Sequence, residues 1–255
     1  MFVCTFGLAG IMVALATCFP RFFHRHRLAL VRSWGRTGLF ISGIHLETVG
    51  REHLTGDSGR IVLFNHQSLL DLFILAALWA PGAVVIYKQE FHQIPIMGRL
   101  MKEMDLIPVD RSNREQAVKS LKAAGERIRV RREALLVAPE GTRSLQPGLI
   151  DFKRGPFHVA LETGLPMIPF VMRGVRSLLP AGHFISRSGF IRVDVLPPIS
   201  TTGWVETELD ARITEVRDIF LRYLPDAGSR ATKHSQQQAG TRPQEADDVA
   251  TAAPQ

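Results

Sequence analysis

The sequence predicts an α/β domain with a largely parallel central sheet flanked by helices, preceded by an N-terminal membrane helix or two-helix membrane motif. Three observations carry that expectation. Short β-branched apolar runs alternate with longer stretches of helical period through the middle of the chain, the pattern of a parallel sheet with crossover helices. Apolar residues make up 45% of the 255, enough for one sizeable core or two small ones. Finally, Met1 to Pro20 holds no charged side chain, and a run of that length matches the hydrocarbon thickness of a bilayer.

At the N-terminus, the apolar run leads directly into RFFHRHR. Lys and Arg favour the cytoplasmic side, so a basic flank after the run predicts an uncleaved anchor with the rest of the chain on the cytoplasmic face. A cleaved signal would carry its charge before the run. A membrane-embedded helix that does not span is the alternative. LALVRSWGRTGLFISGI then mixes Leu, Trp and Phe with Arg, as an interfacial helix does, with a domain helix packed on the core as the alternative. Cys4 and Cys18 both fall in the first run, about 20 Å apart if it is helical, too far for a disulfide.

After the turn GDSGR, strands are expected at IVLF, AVVIY, LIPV, ALLVA, MIPFVM and FIRVDVL. Helices are expected at SLLDLFILAALW, within FHQIPIMGRLMKEM, at NREQAVKSLKAAGERIRVRRE, at RGPFHVALETG and at VETELDARITEVRDIFLRYL. Prolines 166 and 169 suggest that MIPFVM is an irregular edge strand. From Pro225 on, no aromatic residue occurs and large aliphatics are almost lacking, so no core can form there. The chain thus divides into an anchor and interfacial helix (1–45), an α/β domain (46–224) and a disordered tail (225–255).

Chemistry on such sheets gathers beyond the carboxyl ends of the strands. Asn65 and His66 fall just past IVLF, and Ser68 with Asp71 forms a Ser-x-x-Asp capping arrangement at the next helix. Residues five apart on a helix diverge by about 140°. His66 must therefore precede the helix and fold back over its first turn, where Asp71 can hold one imidazole nitrogen and leave the other as a base. A purely structural role for the pair is the competing reading. PEGTR after ALLVA gathers Glu140, Gly141, Thr142 and Arg143, a set suited to a phosphate or an oxyanion. Lys88 after AVVIY and Arg111 after LIPV put two more cations on the same rim.

In order and spacing, HQSLLD, KQEFHQIP with DR, PEGTR and GLPMIP resemble the four sequence blocks of the glycerolipid acyltransferase superfamily, and most closely the 1-acyl-sn-glycerol-3-phosphate acyltransferases. The resemblance spans about residues 60 to 172 and includes FKRGPF at 152 to 157. His-x4-Asp is a weak pattern by itself; four ordered blocks are specific. The resemblance implies a membrane enzyme of phospholipid biosynthesis that moves an acyl chain from acyl-CoA or acyl-carrier protein to the sn-2 hydroxyl of lysophosphatidic acid, giving phosphatidic acid. It implies His66 as general base oriented by Asp71, and Lys88, Arg111, Glu140, Gly141, Thr142 and Arg143 around the acceptor phosphate, with amides near Gly141 as oxyanion donors. No cofactor and no metal are expected; the partners are membrane lipids and the two substrates. Another lysolipid acceptor, such as a lyso-ornithine lipid, fits the same blocks.

Rival classes have less behind them. GDSG echoes a hydrolase nucleophile but is also a plain turn. The net charge of +7 admits nucleic acid as well as anionic lipid, yet RIRVRRE has no aromatics interleaved for base stacking, so no nucleic-acid partner is expected. A non-catalytic lipid-binding relative would have lost the His-Asp pair, which is present here. His92 and His158 read as surface or packing residues.

Overall fold

The computed structural model describes residues 2–56, 58–110, 114–143, 148–180, 182–183 and 185–224. The expected tail, 225–255, and Arg111 lie outside them. Two helices come first, α1 (Phe2–Cys18) and α2 (Pro20–Ile41), followed by strand β1 (Ile44–Val49). Then come β2 (Arg60–Phe64), α3 (Leu70–Ala77), β3 (Ala83–Lys88), α4 (Pro95–Glu103), β4 (Ile107–Val109), α5 (Arg114–Arg131) and β5 (Ala134–Val137). The chain continues through α6 (Gly155–Thr163), β6 (Met167–Arg173), α7 (Val175–Leu178), β7 (Gly189–Val195) and α8 (Leu209–Tyr223).

The strands form one sheet in the order β1-β7-β6-β2-β5-β3-β4. Five neighbours from β6 to β4 are mutually parallel, while β7 runs antiparallel to β6 and carries β1 parallel to itself. Alternation along each strand splits the core in two. Val62, Phe64, Leu136, Phe170 and Val193 face α3. Ile61, Leu63, Leu135, Val137 and Val171 face α5, α6 and α8. Both faces of β2 are buried, which is why its sequence is a continuous apolar run.

Three expectations are corrected. First, among the described residues no helix is long and apolar enough to cross a membrane. The 17 residues of α1 rise about 25 Å, short of the ~30 Å hydrocarbon core. Phe19 leaves helical geometry at φ −133° and ψ 61°, and Pro20 starts α2 as a new helix, so the apolar run ends there and the Arg residues belong to α2. Ala9, Met12 and Ala16 of α1 are buried. Second, β6 is no edge: it lies between β7 and β2, and Pro169 is in register with Leu63. Pairing to β7 begins one residue later, at Phe170, so the missing Pro169 N–H falls outside that ladder. Third, β1 went unforeseen, although I-H-L-E-T-V alternates; its partner β7 is far along the chain.

The helix α2 is held tightly to α3 by two glycines. A methyl group built on Gly35 would lie 2.3 Å from the Ala77 nitrogen, and one on Gly38 would lie 2.4 Å from the Phe73 ring. Gly35→Val should therefore push α2 off α3 and destabilise the protein by about 1–3 kcal/mol or more. Thermal unfolding checks this, and an unshifted midpoint would contradict the close packing.

Candidate active site

The carboxyl ends of β2, β5, β3 and β4 lie side by side on one rim, about 4.8 Å apart per strand. His66 follows β2, and Glu140 follows β5 at the same level, three residues past the registered pair Leu63 and Val137. Lys88 is the last residue of β3, beside β5.

His66 folds back over the start of α3 as its spacing requires, placing Nδ1 2.7 Å from Asp71 Oδ2. That same oxygen accepts the backbone N–H groups of Gln67 at 2.8 Å and Ser68 at 3.0 Å. Asp71 is almost fully buried in the first turn of α3. With the carboxylate accepting at Nδ1, the imidazole holds its proton there and leaves the Nε2 lone pair for chemistry. The ring is about one-third exposed, with the edge of Phe64 beside it at a centroid distance of 5.9 Å.

Only half of the expected capping box forms. Asp71 reaches back to the Ser68 N–H, but Ser68 Oγ donates to the Leu179 carbonyl at 2.8 Å while accepting the Leu70 N–H at 3.2 Å. Ser68 is thereby fixed and buried, and is no nucleophile. Ser58 of GDSG precedes β2, a strand length of about 16 Å or more from His66, so no serine dyad forms with this histidine.

Glu140 has a different place from the one expected of it. It is completely buried; Oε1 accepts the His66 backbone N–H at 2.8 Å and Oε2 accepts that of Ile150 at 3.3 Å. Burial pushes its carboxyl up to about 7, with its bonds from His66 and Ile150 opposing. A buried acid spent on two amides cannot ligate a phosphate; it positions His66. Gly141 turns at φ +72° and donates its N–H to the Ala138 carbonyl at 3.1 Å, so that amide is taken and is no oxyanion donor. Thr142 is exposed and Arg143 half-buried on the same loop. Among the described residues Arg143 meets no carboxylate, whereas Lys88 is exposed and paired with Glu90 at 3.0 Å. That bond holds the Glu90 carboxyl below the usual range.

Asn65 was overlooked as a site residue. Fully buried, it donates to the Met172 carbonyl at 2.9 Å and accepts the Met172 N–H at 2.8 Å, extending the β2–β6 pairing up to His66. The signal was present as an uncharged polar residue closing a wholly buried strand. His92 meets the Tyr87 hydroxyl, and His158 lies 3.4 Å from Glu206, both away from this cluster. Among the described residues no group of His, Cys, Asp and Glu is arranged to hold a metal.

The sequence profile of the family described as Acyltransferase matches residues 45–173, just over half of the chain. The chain belongs to the acyltransferase family. It is 35% identical over 187 residues to the 1-acyl-sn-glycerol-3-phosphate acyltransferase of Limnanthes alba, covering 73% of this chain and 66% of that protein. Against the enzyme of the same name from Saccharomyces cerevisiae it is 32% identical over 188 residues, covering 73% and 62%. The chain thus matches a little under two thirds of the length of these curated relatives. A crystal structure of the 1-acyl-sn-glycerophosphate (LPA) acyltransferase PlsC from Thermotoga maritima superposes with a TM-score of 0.67 at 22% identity. That likeness covers 89% of this chain and 99% of PlsC, and concerns the fold. The His66–Asp71 pair lies on this rim and within the matched residues 45–173.

Proposed function

We propose that this protein transfers an acyl group from acyl-CoA or acyl-carrier protein to the sn-2 hydroxyl of lysophosphatidic acid, forming phosphatidic acid. The observation that carries the reading is the 2.7 Å contact that leaves His66 Nε2 as a free base at the strand ends. The relatives' names supply the acceptor. In this reaction Nε2 takes the hydroxyl proton as the oxygen bonds to the thioester carbonyl carbon. The tetrahedral intermediate then expels the thiolate, which recovers the proton from the imidazolium. Direct attack needs no acyl-enzyme, in keeping with a buried Ser68 whose hydroxyl is engaged. Arg143 is the cation of this loop assigned to the acceptor phosphate, with Lys88 at the end of β3 as a further candidate, and Arg111 as another by sequence. Glu140 and Gly141 shape the loop that presents it.

In this reading the hairpin of α1 and α2 lies in the membrane interface without crossing. Supporting it, α1 is apolar all round, Ile11, Phe19 and Phe22 are exposed, and α2 places Arg21, Arg25 and Arg27 beside them.

Thiol release from oleoyl-CoA by detergent-purified protein tests the reaction: it should depend on added lysophosphatidic acid, and acceptor-independent release would indicate a hydrolase. Arg143→Ala should raise KM for lysophosphatidic acid about tenfold, the loss of one charged hydrogen bond of ~1.5 kcal/mol, with KM for oleoyl-CoA little changed. Equal rises for both substrates would refute the phosphate assignment.

A further inference from the structure

A cleft of about 530 Å³ opens between α2 and the edge strand β1, away from His66. The volume is that of an ordinary ligand site. Leu39 and Phe40 of α2, Ile44 and Leu46 of β1, and Ala77 and Leu78 at the end of α3 give it apolar walls. Arg36 and Arg51 stand in its lining. A third guanidinium, Arg32, is one helical turn before Arg36 on the same face of α2, with Nε fixed on the Trp79 carbonyl at 2.8 Å. The positive charges of Arg51 and Arg36, after burial, hold the Arg32 guanidinium below its ordinary value, so the three share one field.

Among the described residues none of these arginines meets a carboxylate, whereas Arg127, Arg129, Arg154, Arg192 and Arg212 each pair with Asp or Glu. No acidic residue occurs before Glu47, and Glu47 is engaged by Arg192. Three like charges gathered without a counterion raise the free energy of the folded chain, and an anion would relieve it. The six residues of β1 run about 20 Å, and the cleft follows them from Gly43 to Arg51, long enough for an extended hydrocarbon chain. Arg32 meets Trp79 past the C-terminal end of α3, about 12 Å along that helix direction from Asp71 in its first turn.

We propose that this cleft binds an anionic membrane phospholipid, with its phosphate held by Arg32, Arg36 and Arg51 and one acyl chain lying along Leu39, Leu46, Ala77 and Leu78. The site is separate from the catalytic rim and is independent of the acyl-transfer reading. Charge complementarity selects the headgroup, and the apolar wall beside it selects a lipid over a soluble phosphate. The cleft is walled by α2, the helix that also carries the exposed basic and aromatic residues, so a membrane lipid has a direct approach.

The test is lipid retention by the full chain in neutral maltoside micelles, read by native mass spectrometry. Dioleoylphosphatidylglycerol should be retained at least tenfold better than dioleoylphosphatidylcholine. Arg36→Glu combined with Arg51→Glu should abolish that preference, Arg36→Lys with Arg51→Lys should keep most of it, and His66→Ala should keep all of it. The proposal is overturned if the charge-reversed protein, folded by circular dichroism, retains the anionic lipid as well as the wild type. It is equally overturned if the neutral lipid is retained as well as the anionic one. Displacement of the lipid by glycerol 3-phosphate would reduce the site to a phosphate site, and displacement by CoA would assign it to the acyl donor; either result overturns the proposal.

Discussion

Replacing His66 by alanine should lower turnover by about 10² to 10⁴, the usual worth of a positioned general base, while the unfolding transition stays close to that of the wild type. The ring sits on a half-open rim and touches little besides Asp71 Oδ2 and the edge of Phe64. Its removal leaves no buried charge without partners, because the Gln67 and Ser68 N–H groups still hold that oxygen. Asp71→Asn should be nearly as damaging to turnover, since the neutral amide oxygen is a weaker acceptor for the three donors that meet Oδ2 and no longer offsets the charge of the imidazolium. If the pair acts as one unit, the double variant His66→Ala, Asp71→Asn will be no slower than the worse of the singles. Acceptor-dependent thiol release measures the rates, and circular dichroism the fold. Turnover by His66→Ala within tenfold of the wild type would remove the histidine from the mechanism.

Much of this site was legible because its logic is local. The five-residue offset from His66 to Asp71 forces a fold-back, the apolar run IVLF fixes where the strand ends, and the parallel topology places chemistry there. What escaped the sequence depends on distant partners. Glu140 looks like a loop residue beside Arg143, and only the register of β2 on β5 shows that it ends under the His66 backbone. Asn65 meets Met172, and Ser68 meets Leu179, each across more than a hundred residues. At the N-terminus only the crossing helix is corrected, and for a different reason. Hydropathy counts apolar residues but not the break at Phe19 and Pro20, nor the glycines that draw α2 onto α3.

The buried Glu140 yields the second large effect, and its sign follows from its environment. Burial raises its carboxyl from an ordinary 4.5 to about 7. A raised acid favours the folded state when neutral: that contribution is complete below pH 4.5 and is lost as pH climbs through 7, because the unfolded chain ionises first. The shift corresponds to on the order of 3 kcal/mol, of which about 2 to 3 should disappear between pH 5 and pH 8. Urea unfolding of the wild type and of Glu140→Gln at both pH values isolates the term, since glutamine does not titrate. The wild type should lose that much more stability than the variant over the interval, and parallel losses would mean that the buried carboxyl does not titrate there. Glu140→Ala goes further, leaving the His66 N–H without its acceptor at a cost of about 1–3 kcal/mol and freeing the loop that aims the imidazole. Misplacing a base by an ångström costs about 10² in rate, so its kcat should fall about a hundredfold with KM for lysophosphatidic acid nearly constant. Glutamine retains an oxygen for that N–H and should recover most of the loss. A rise in KM without a fall in kcat would instead return Glu140 to the phosphate pocket, where its complete burial and its two amide partners leave it no room.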